Sequence, residues 1–348
     1  MRTRDRVEVA GATDPGCVRK NNEDNLAVDP DLGLLVVADG MGGHNSGEVA
    51  SDLVASTILD YARKMLGGAK ALVPEGTAGL TPRGRQLEFF VKSANTMIYE
   101  KGRAFPKDAG MGTTVVAALV DSKSMSVAHV GDSRLYLWRR GELTQLTEDH
   151  SLVGEQVKRG QITADEASRS SLQNILTRAL GADKEVQVDV ADHPLMPGDV
   201  VLLATDGLSK MLTDAEVAAV IATEREPQKI VDVLIAKSRA AGGVDNITVV
   251  VAHVPAPGGG RGVVKLVSRL FGVRRFTGGA DALAVVFSKP VSGPAPVTSA
   301  AEWEVRPLAK TGVVLGVSEN WQRQATHLTG ATWLAGLSYE LSSAVSVH

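Results

Sequence analysis

The chain has 348 residues, 44% of them hydrophobic and 22% charged, long enough for one large core with an appendage. A formal net charge of -3 gives no electrostatic reason to expect nucleic acid as a partner, and the single cysteine, Cys17, rules out a disulfide framework and a cysteine-based zinc site. A lone thiol fits a reducing cytoplasm, the charged start Met1-Arg2-Thr3-Arg4-Asp5-Arg6 has no apolar run behind it to make a signal peptide, and no stretch reaches the roughly 18 apolar residues of a transmembrane span.

The first expected strand runs from Val7 to Ala12 and closes in the turn cluster Thr13-Asp14-Pro15-Gly16. A polar knot follows, Arg19-Lys20-Asn21-Asn22-Glu23-Asp24-Asn25, which by charge alone describes a solvated loop. Hairpin pairing with the next strand would set Arg19, Glu23 and Asp24 beside that strand's end. The next strand organises the chain. Leu34-Leu35-Val36-Val37-Ala38 is an unbroken apolar run that stops at Asp39 and is followed by Gly40, Gly42 and Gly43. It reads as a buried strand delivering one carboxylate into a tight turn. Without a Cβ, the glycines let backbone carbonyls approach a ligand closely, and a cation is the natural guest. Taken alone, the stretch describes an ordinary strand–turn–helix connection equally well.

From Ser46 to Leu66, Val49, Leu53, Val54, Ile58, Tyr61, Ala62 and Met65 recur at helical spacing, with Ser46 or Asn45 able to cap the start. A loop over roughly 67 to 85 leads to a second helix with Leu87, Phe90, Val91, Ala94, Met97 and Ile98 on one face. Both stripes are core-facing. Short β-branched runs at Thr113 to Val120, Ser124 to Val130 and Arg134 to Arg139 predict an antiparallel meander, with Gly131-Asp132-Ser133-Arg134 between the last two. The polar, broken run from Glu148 to Gly181 reads as a mobile flap with short helical pieces at Gly154 to Arg159 and Ala164 to Ala167.

The opening pattern then returns. Asp199 to Asp206-Gly207 is another apolar strand ending in Asp-Gly, helical spacing resumes at Val217, Val220 and Ile221, and a further helix spans about Pro227 to Ala241. In Gly242-Gly243-Val244-Asp245-Asn246-Ile247-Thr248 the carboxylate precedes its strand. Asp39, Asp206 and Asp245 thus each sit at an end of a buried strand. Gathered at one rim, they would repel one another unless hard divalent cations such as Mg²⁺ or Mn²⁺ neutralised them.

Arg19…Asn22-Glu23-Asp24, Asp39-Gly40-Met41-Gly42-Gly43, Gly112-Thr113-Thr114, Gly131-Asp132-Ser133-Arg134, Asp206-Gly207 and Asp245-Asn246-Ile247-Thr248 occur in the order and approximate spacing of the metal-dependent (PPM, type 2C) Ser/Thr protein phosphatases. The Asp-Gly-Met-Gly-Gly-His form resembles the bacterial branch. Each motif is weak alone; in this order over residues 6–254 they are specific. The resemblance implies an α+β fold, an αββα sandwich of two antiparallel sheets flanked by helical pairs. It also implies hydrolysis of phosphoserine and phosphothreonine in proteins by a metal-activated bridging hydroxide at a binuclear Mn²⁺ or Mg²⁺ centre, with no covalent intermediate.

By that resemblance Asp39 bridges the two metals, the Gly40 carbonyl ligates one of them, and Asp206 and Asp245 ligate the other. Asp24 joins the metal set, with Glu23 and Asn246 backing it. Arg19 grips the phosphate, a third metal sits at Asp132, and Asn174 lies near that metal. Partners implied are Ser/Thr-phosphorylated proteins and a cognate Ser/Thr kinase in a bacterial cell. Met41 stands where some relatives carry a histidine after Asp-Gly, so the general acid does not transfer; His44 is the nearby candidate, beside a water held by metal, and reads equally well as a helix-start histidine. His129, His150, His193 and His253 read as structural or solvent-facing, and Cys17 lacks the glycine-rich anion cradle a phosphocysteine mechanism needs.

The resemblance stops near Val254. Residues 255–262 are a Pro/Gly linker by composition. Arg261 to Phe276 alternates basic and apolar residues, a spacing that suits a short amphipathic helix for a peripheral membrane or partner contact and equally describes a plain surface helix. Residues 263–348 form a C-terminal extension to which no fold or function is assigned. Two other functional readings stand beside the phosphatase: a catalytically weak regulator that binds phosphoproteins, and a dedicated phosphatase of anti-anti-sigma-type regulators.

Overall fold

The computed structural model describes residues 7–42, 46–67, 72–163, 166–167, 169–255, 273–278, 282–287, 304–308, 312–316 and 345–347. Side chains alternate along a strand, so the apolar run before Asp39 is divided between two cores. Leu34, Val36 and Ala38 pack with Val54, Ile58, Phe90 and Ile98. Leu35 and Val37 pack instead with Val116, Leu135, Val201, Leu203 and Val250. A third cluster joins Tyr136, Leu202, Val249 and Val251 to Val220, Ile230 and Leu234. Helices, sheet, sheet, helices is the stacking that buries all three, and a strand covered on both faces has no polar side to alternate with.

In chain order the elements are β1 (Glu8–Asp14), β2 (Asp24–Asp29), β3 (Leu34–Met41), α1 (Ser46–Leu66), α2 (Pro82–Ala104), β4 (Gly112–Thr113), β5 (Val115–Val120), β6 (Ser124–Val130), β7 (Arg134–Arg139) and β8 (Glu142–Gln145). Then come α3 (Leu152–Lys158), β9 (Asp189–Pro194), β10 (Val200–Ala204), α4 (Asp206–Ser209), α5 (Asp214–Thr223), α6 (Pro227–Ala240) and β11 (Ile247–His253). One sheet is ordered β1-β11-β10-β7-β8 and the other β2-β3-β5-β6-β9, with β4 paired to β3. Every pairing in the two sheets is antiparallel. The α+β sandwich expected from the resemblance is therefore the observed fold.

Both long helices have clear local causes. α1 carries its buried residues, among them Ala50, Val54, Ile58 and Ala62, on one face at a spacing of four. α2 starts at Pro82, earlier than the hydrophobic stripe suggests, because Thr81 is in extended geometry and its hydroxyl accepts from Gly84 N at 3.1 Å while proline fills the first turn. Asp192 on β9 takes the Thr81 hydroxyl at 2.8 Å and its amide at 2.8 Å, which ties this cap to the sheet edge. The stretch 148–181 is more firmly held than its polar composition suggests. Ser151 bridges to Leu176, Leu180 bridges to Thr113, and His150 and Leu180 are buried.

The chain divides into two compact units, Met1–Pro255 and Ala256–His348. Within the second, β12 (Val273–Gly278) pairs antiparallel with β13 (Ala282–Phe287), β14 (Glu304–Leu308) pairs antiparallel with β15 (Gly312–Gly316), and β15 pairs parallel with β16 (Val345–Val347). The amphipathic helix expected over 261–276 is corrected where it can be read, since Val273 to Phe276 belong to β12; residues 261–272 lie outside the described residues. Glycine on both sides of a segment holding Val273, Phe276 and Thr277 favours a strand over a helix.

Phe90 is fully buried in the layer between α1, α2 and the sheet, near the rings of Tyr61 and Phe89. Phe90→Ala should lower unfolding free energy by about 3–5 kcal/mol, read as a lower urea midpoint at unchanged slope. A loss below about 1 kcal/mol would contradict this packing.

Candidate metal centre

The sheet registers bring the acidic residues to one end of the sandwich. β2 and β3 are antiparallel with Asp24 directly opposite Asp39, and opposite residues share a face. Asp39 has the same parity as Leu35 and Val37, so both carboxylates belong to the face toward the second sheet. β10 ends just before Asp206 and its antiparallel partner β11 begins just after Asp245 and Asn246, so these two fall at one edge. β7 pairs with β10 through Arg134 opposite Ala204, which places the β6–β7 turn, with Asp132, at that same edge.

Asp24 is the deepest. Its Oδ2 accepts from Thr205 Oγ1 at 2.8 Å and Thr248 Oγ1 at 2.7 Å, residues of the opposite sheet and its outgoing turn, while Oδ1 is buried without a hydrogen-bond partner among the described residues. Burial pushes its pKa up to about 7 against those two hydrogen bonds. Asp39 is raised well above its ordinary value by burial and by the charges of Asp24, Asp206, Asp132 and Asp245. Its carbonyl is pinned by Thr114 N at 2.9 Å and Thr113 Oγ1 at 2.8 Å, and its amide donates to Thr114 Oγ1 at 3.1 Å. Gly40 N donates to Glu23 O at 3.1 Å. A Cβ on Gly40 would lie 2.1 Å from the Gly47 carbonyl, so only glycine lets β3 meet the start of α1.

Asp206 and Asp245 carry counter-charges. Lys210 reaches Asp206 Oδ2 at 2.5 Å and Asp245 Oδ2 at 3.4 Å. Arg19 forks onto Asp245, Nε to Oδ1 at 2.9 Å and Nη2 to Oδ2 at 3.0 Å, from a side chain that is 53% exposed. Burial still raises Asp206, opposed by Lys210, and its Oδ1 is buried with no hydrogen-bond partner among the described residues. For Lys210 burial disfavours the charge, but Asp206, Asp245 and Asp132 outweigh it and raise its pKa. Asn246 links the loops: Oδ1 accepts from Glu23 N at 2.9 Å, and Nδ2 donates to Pro15 O and Asn21 O at 3.1 and 2.9 Å. Glu23 is raised by burial and by Asp245 and Glu48, with Arg19 opposing.

Asp132 is also pushed up to about 7, by burial first and then by Asp206 and Asp149. Its turn depends on Gly131 at φ +107°, where a Cβ would strike Thr114 at 2.6 Å. Asn174 is exposed in a turn of the 148–181 stretch. His44 lies outside the described residues. The sequence reading missed Lys210, although an Asp at i and a Lys at i+4 across a helix start is a recognisable pairing signal. It also missed the Thr205–Asp24–Thr248 tie, which no local pattern marks.

His129, His150 and Asp189 form a separate group, with potential ligand atoms within 4.8 Å of one another. Its hydrogen bonds argue against a metal there. His150 Nδ1 accepts from Gly131 N at 3.0 Å, so the neutral ring carries its proton on Nε2, 3.2 Å from Asp189 Oδ2. His129 Nε2 faces the Glu148 carbonyl at 2.9 Å and is likewise a donor, and Arg178 already supplies a cation to Asp189 at 2.6 Å. The group ties the 148–181 stretch to the Gly131 turn, in line with the structural role expected for both histidines.

The acidic rim itself fits hard divalent cations: its donors are all oxygen, and Asp24 Oδ1 and Asp206 Oδ1 are buried acceptors with nothing to accept from among the described residues. Among the described residues no helix is long and apolar enough to cross a membrane.

A family model described as Protein phosphatase 2C matches residues 12–247. The serine/threonine phosphatase Stp of Listeria innocua is 37% identical over 246 residues, covering 69% of this chain and 93% of that protein. The solved structure of the serine/threonine phosphatase PstP/Ppp of Mycobacterium tuberculosis superposes with a TM-score of 0.64 at 35% identity, over 72% of this chain and 100% of the other. A structure of the catalytic domain of PstP in complex with two manganese ions superposes with a TM-score of 0.62 at 35% identity, over 72% and 99%.

The raised carboxyls give a signed expectation. Without divalent metal, native Asp132 releases its proton near pH 7 whereas an unfolded aspartate does so near 3.8, so its stability cost grows as pH rises through that window. Asp132→Asn in EDTA should therefore melt higher than the parent chain at pH 8, with the gap narrowing toward pH 5. An equal or lower melting temperature at pH 8 would show that no strained carboxylate sits there.

Proposed function

The chain belongs to the protein phosphatase 2C family of serine/threonine phosphatases, and on that basis we propose that it hydrolyses phosphoserine and phosphothreonine in proteins at a binuclear Mn²⁺ or Mg²⁺ centre, in the cytoplasm, opposing a Ser/Thr kinase. The observation that carries this reading is the gathering of Asp24, Asp39, Asp132, Asp206 and Asp245 at one rim, with buried carboxylate oxygens left unpartnered among the described residues beside a forked arginine.

Asp39 and the Gly40 carbonyl would hold one cation, with Asp39 shared to a second held by Asp206 and Asp245; Asp24 lines the deep side, and Asp132 is the seat for a third. When bound, these cations supply water acidified enough to be hydroxide near neutral pH, and positive charge for the phosphoryl oxygens. The chain's own residues do the rest. Threonine bonds fix the Asp39 backbone at the end of β3, so its carboxylate cannot drift with the loop. Arg19, half exposed and paired to Asp245, is placed to turn its guanidinium fork onto two phosphoryl oxygens. The leaving serine or threonine oxygen takes up a proton, for which His44 is the residue we nominate.

The 348-residue chain should hydrolyse p-nitrophenyl phosphate and a phosphothreonine peptide with Mn²⁺ and lose that activity in excess EDTA. A folded chain that binds Mn²⁺ yet turns over neither substrate would favour a phosphoprotein-binding regulator. Asp39→Asn should reduce kcat by at least about 100-fold, because a metal contributes several kcal/mol to the barrier drop. Arg19→Ala should act mainly by raising KM, and a fall in kcat at unchanged KM would deny it the role of phosphate clamp.

A further inference from the structure

Lys210 is an unusual neighbour for a metal seat. It follows α4 directly, with its amide donating to Asp206 O at 2.8 Å, and its side chain folds back over that turn and is only 18% exposed. The ammonium spans Asp206 Oδ2 at 2.5 Å and Asp245 Oδ2 at 3.4 Å. These are the two carboxylates assigned above to one cation, and the oxygen lone pairs that an ammonium occupies are those a metal needs. An ammonium has no lone pair of its own, so it cannot become a ligand. Arg19 also forks onto both oxygens of Asp245, but from a side chain that is 53% exposed, whereas Lys210 is enclosed between the two carboxylates.

We propose that Lys210 is a built-in competitor for divalent metal: its ammonium neutralises the Asp206–Asp245 pair when that seat is empty and must swing out when a cation enters. The proposal rests on the binuclear reading above. Lys210 then sets metal affinity at this seat below what the carboxylates alone would give, while keeping the acidic rim from forcing itself apart in the absence of metal. The ligands and the fold fix where metal binds, and Lys210 fixes how much metal is needed.

Calorimetric titration of Mn²⁺ into metal-free chain tests this. Wild type should bind Mn²⁺, and Lys210→Met, which removes the charge and keeps an apolar stem, should bind at one seat on the order of 10-fold more tightly, as expected for removal of a like charge a few ångströms from the cation. In EDTA the same variant should melt lower than wild type, and Mn²⁺ should raise its melting temperature by more. Lys210→Arg, which keeps the charge, should stay near wild-type affinity. Unchanged or weaker binding by Lys210→Met overturns the proposal; absence of Mn²⁺ binding by wild type overturns the metal-centre reading itself.

Because Lys210→Met could fold poorly, wild type carries a second test. Amine acetylation followed by mass spectrometry of the Lys210 peptide should be slow in EDTA and faster in Mn²⁺, as the side chain leaves its ion pairs. Equal or slower modification in Mn²⁺ means that Lys210 never leaves, which refutes the competition.

Discussion

Electrostatic repulsion among acidic side chains held at one poorly hydrated rim is the constraint on which this molecule turns. Asp24, Asp39, Asp132 and Asp206 all bind their protons more tightly than an ordinary aspartate, with burial the first cause in each case. Left to itself such a cluster would open the end of the sandwich. The chain offsets it with cationic side chains, Lys210 and Arg19 among them, and with hydroxyls aimed at individual oxygens. That the rim stays acidic despite this cost fits a site made for binding cations rather than for holding the fold together.

Stability comes from elsewhere. Three apolar layers, one between the sheets and one outside each, leave strands such as β3 with no exposed face. Among the described residues the two sheets meet at the site through polar ties, the deepest of them Asp24 of β2 bonding to Thr205 and Thr248 of the facing sheet. That tie fixes the distance between the half carrying Asp39 and the half carrying Asp206 and Asp245, so the layer packing becomes a geometric setting of the rim. On the other side, His150 fastens the 148–181 stretch to the turn that presents Asp132, and Arg178 ties the same stretch to Asp189 of β9. A polar segment that reads as detached is thus held at the point where it meets the site.

Burial on two faces left a plain trace in the amino-acid order: continuous apolar runs ending in Asp-Gly mark β3 and β10, and helical stripes mark α1, α2 and α6. Two of the edge strands left little. β8 and β9 are short, half exposed and rich in polar residues, so neither alternation nor an apolar run distinguishes them from loop. The segment over 261–276 shows the reverse error, since basic and apolar residues at mixed spacing satisfy a helical stripe while Val273 to Phe276 lie in a hairpin strand. Within the site, Asp39, Asp206 and Asp245 announced themselves by position at strand ends. Lys210 left only its i,i+4 spacing from Asp206, which signals a local pair but not the reach to Asp245 that the fold provides.

Local periodicity and residue chemistry were enough to specify the strands that must be buried, the turns that release carboxylates from them, and the order of motifs that identifies the family. Which of these carboxylates face one another, and what neutralises them, emerges only in the folded chain. Asp24 meets Thr205 across 181 positions and Thr248 across 224, and Arg19 meets Asp245 across 226. At such separations pairing is set by sheet order and register rather than by anything written in the intervening residues.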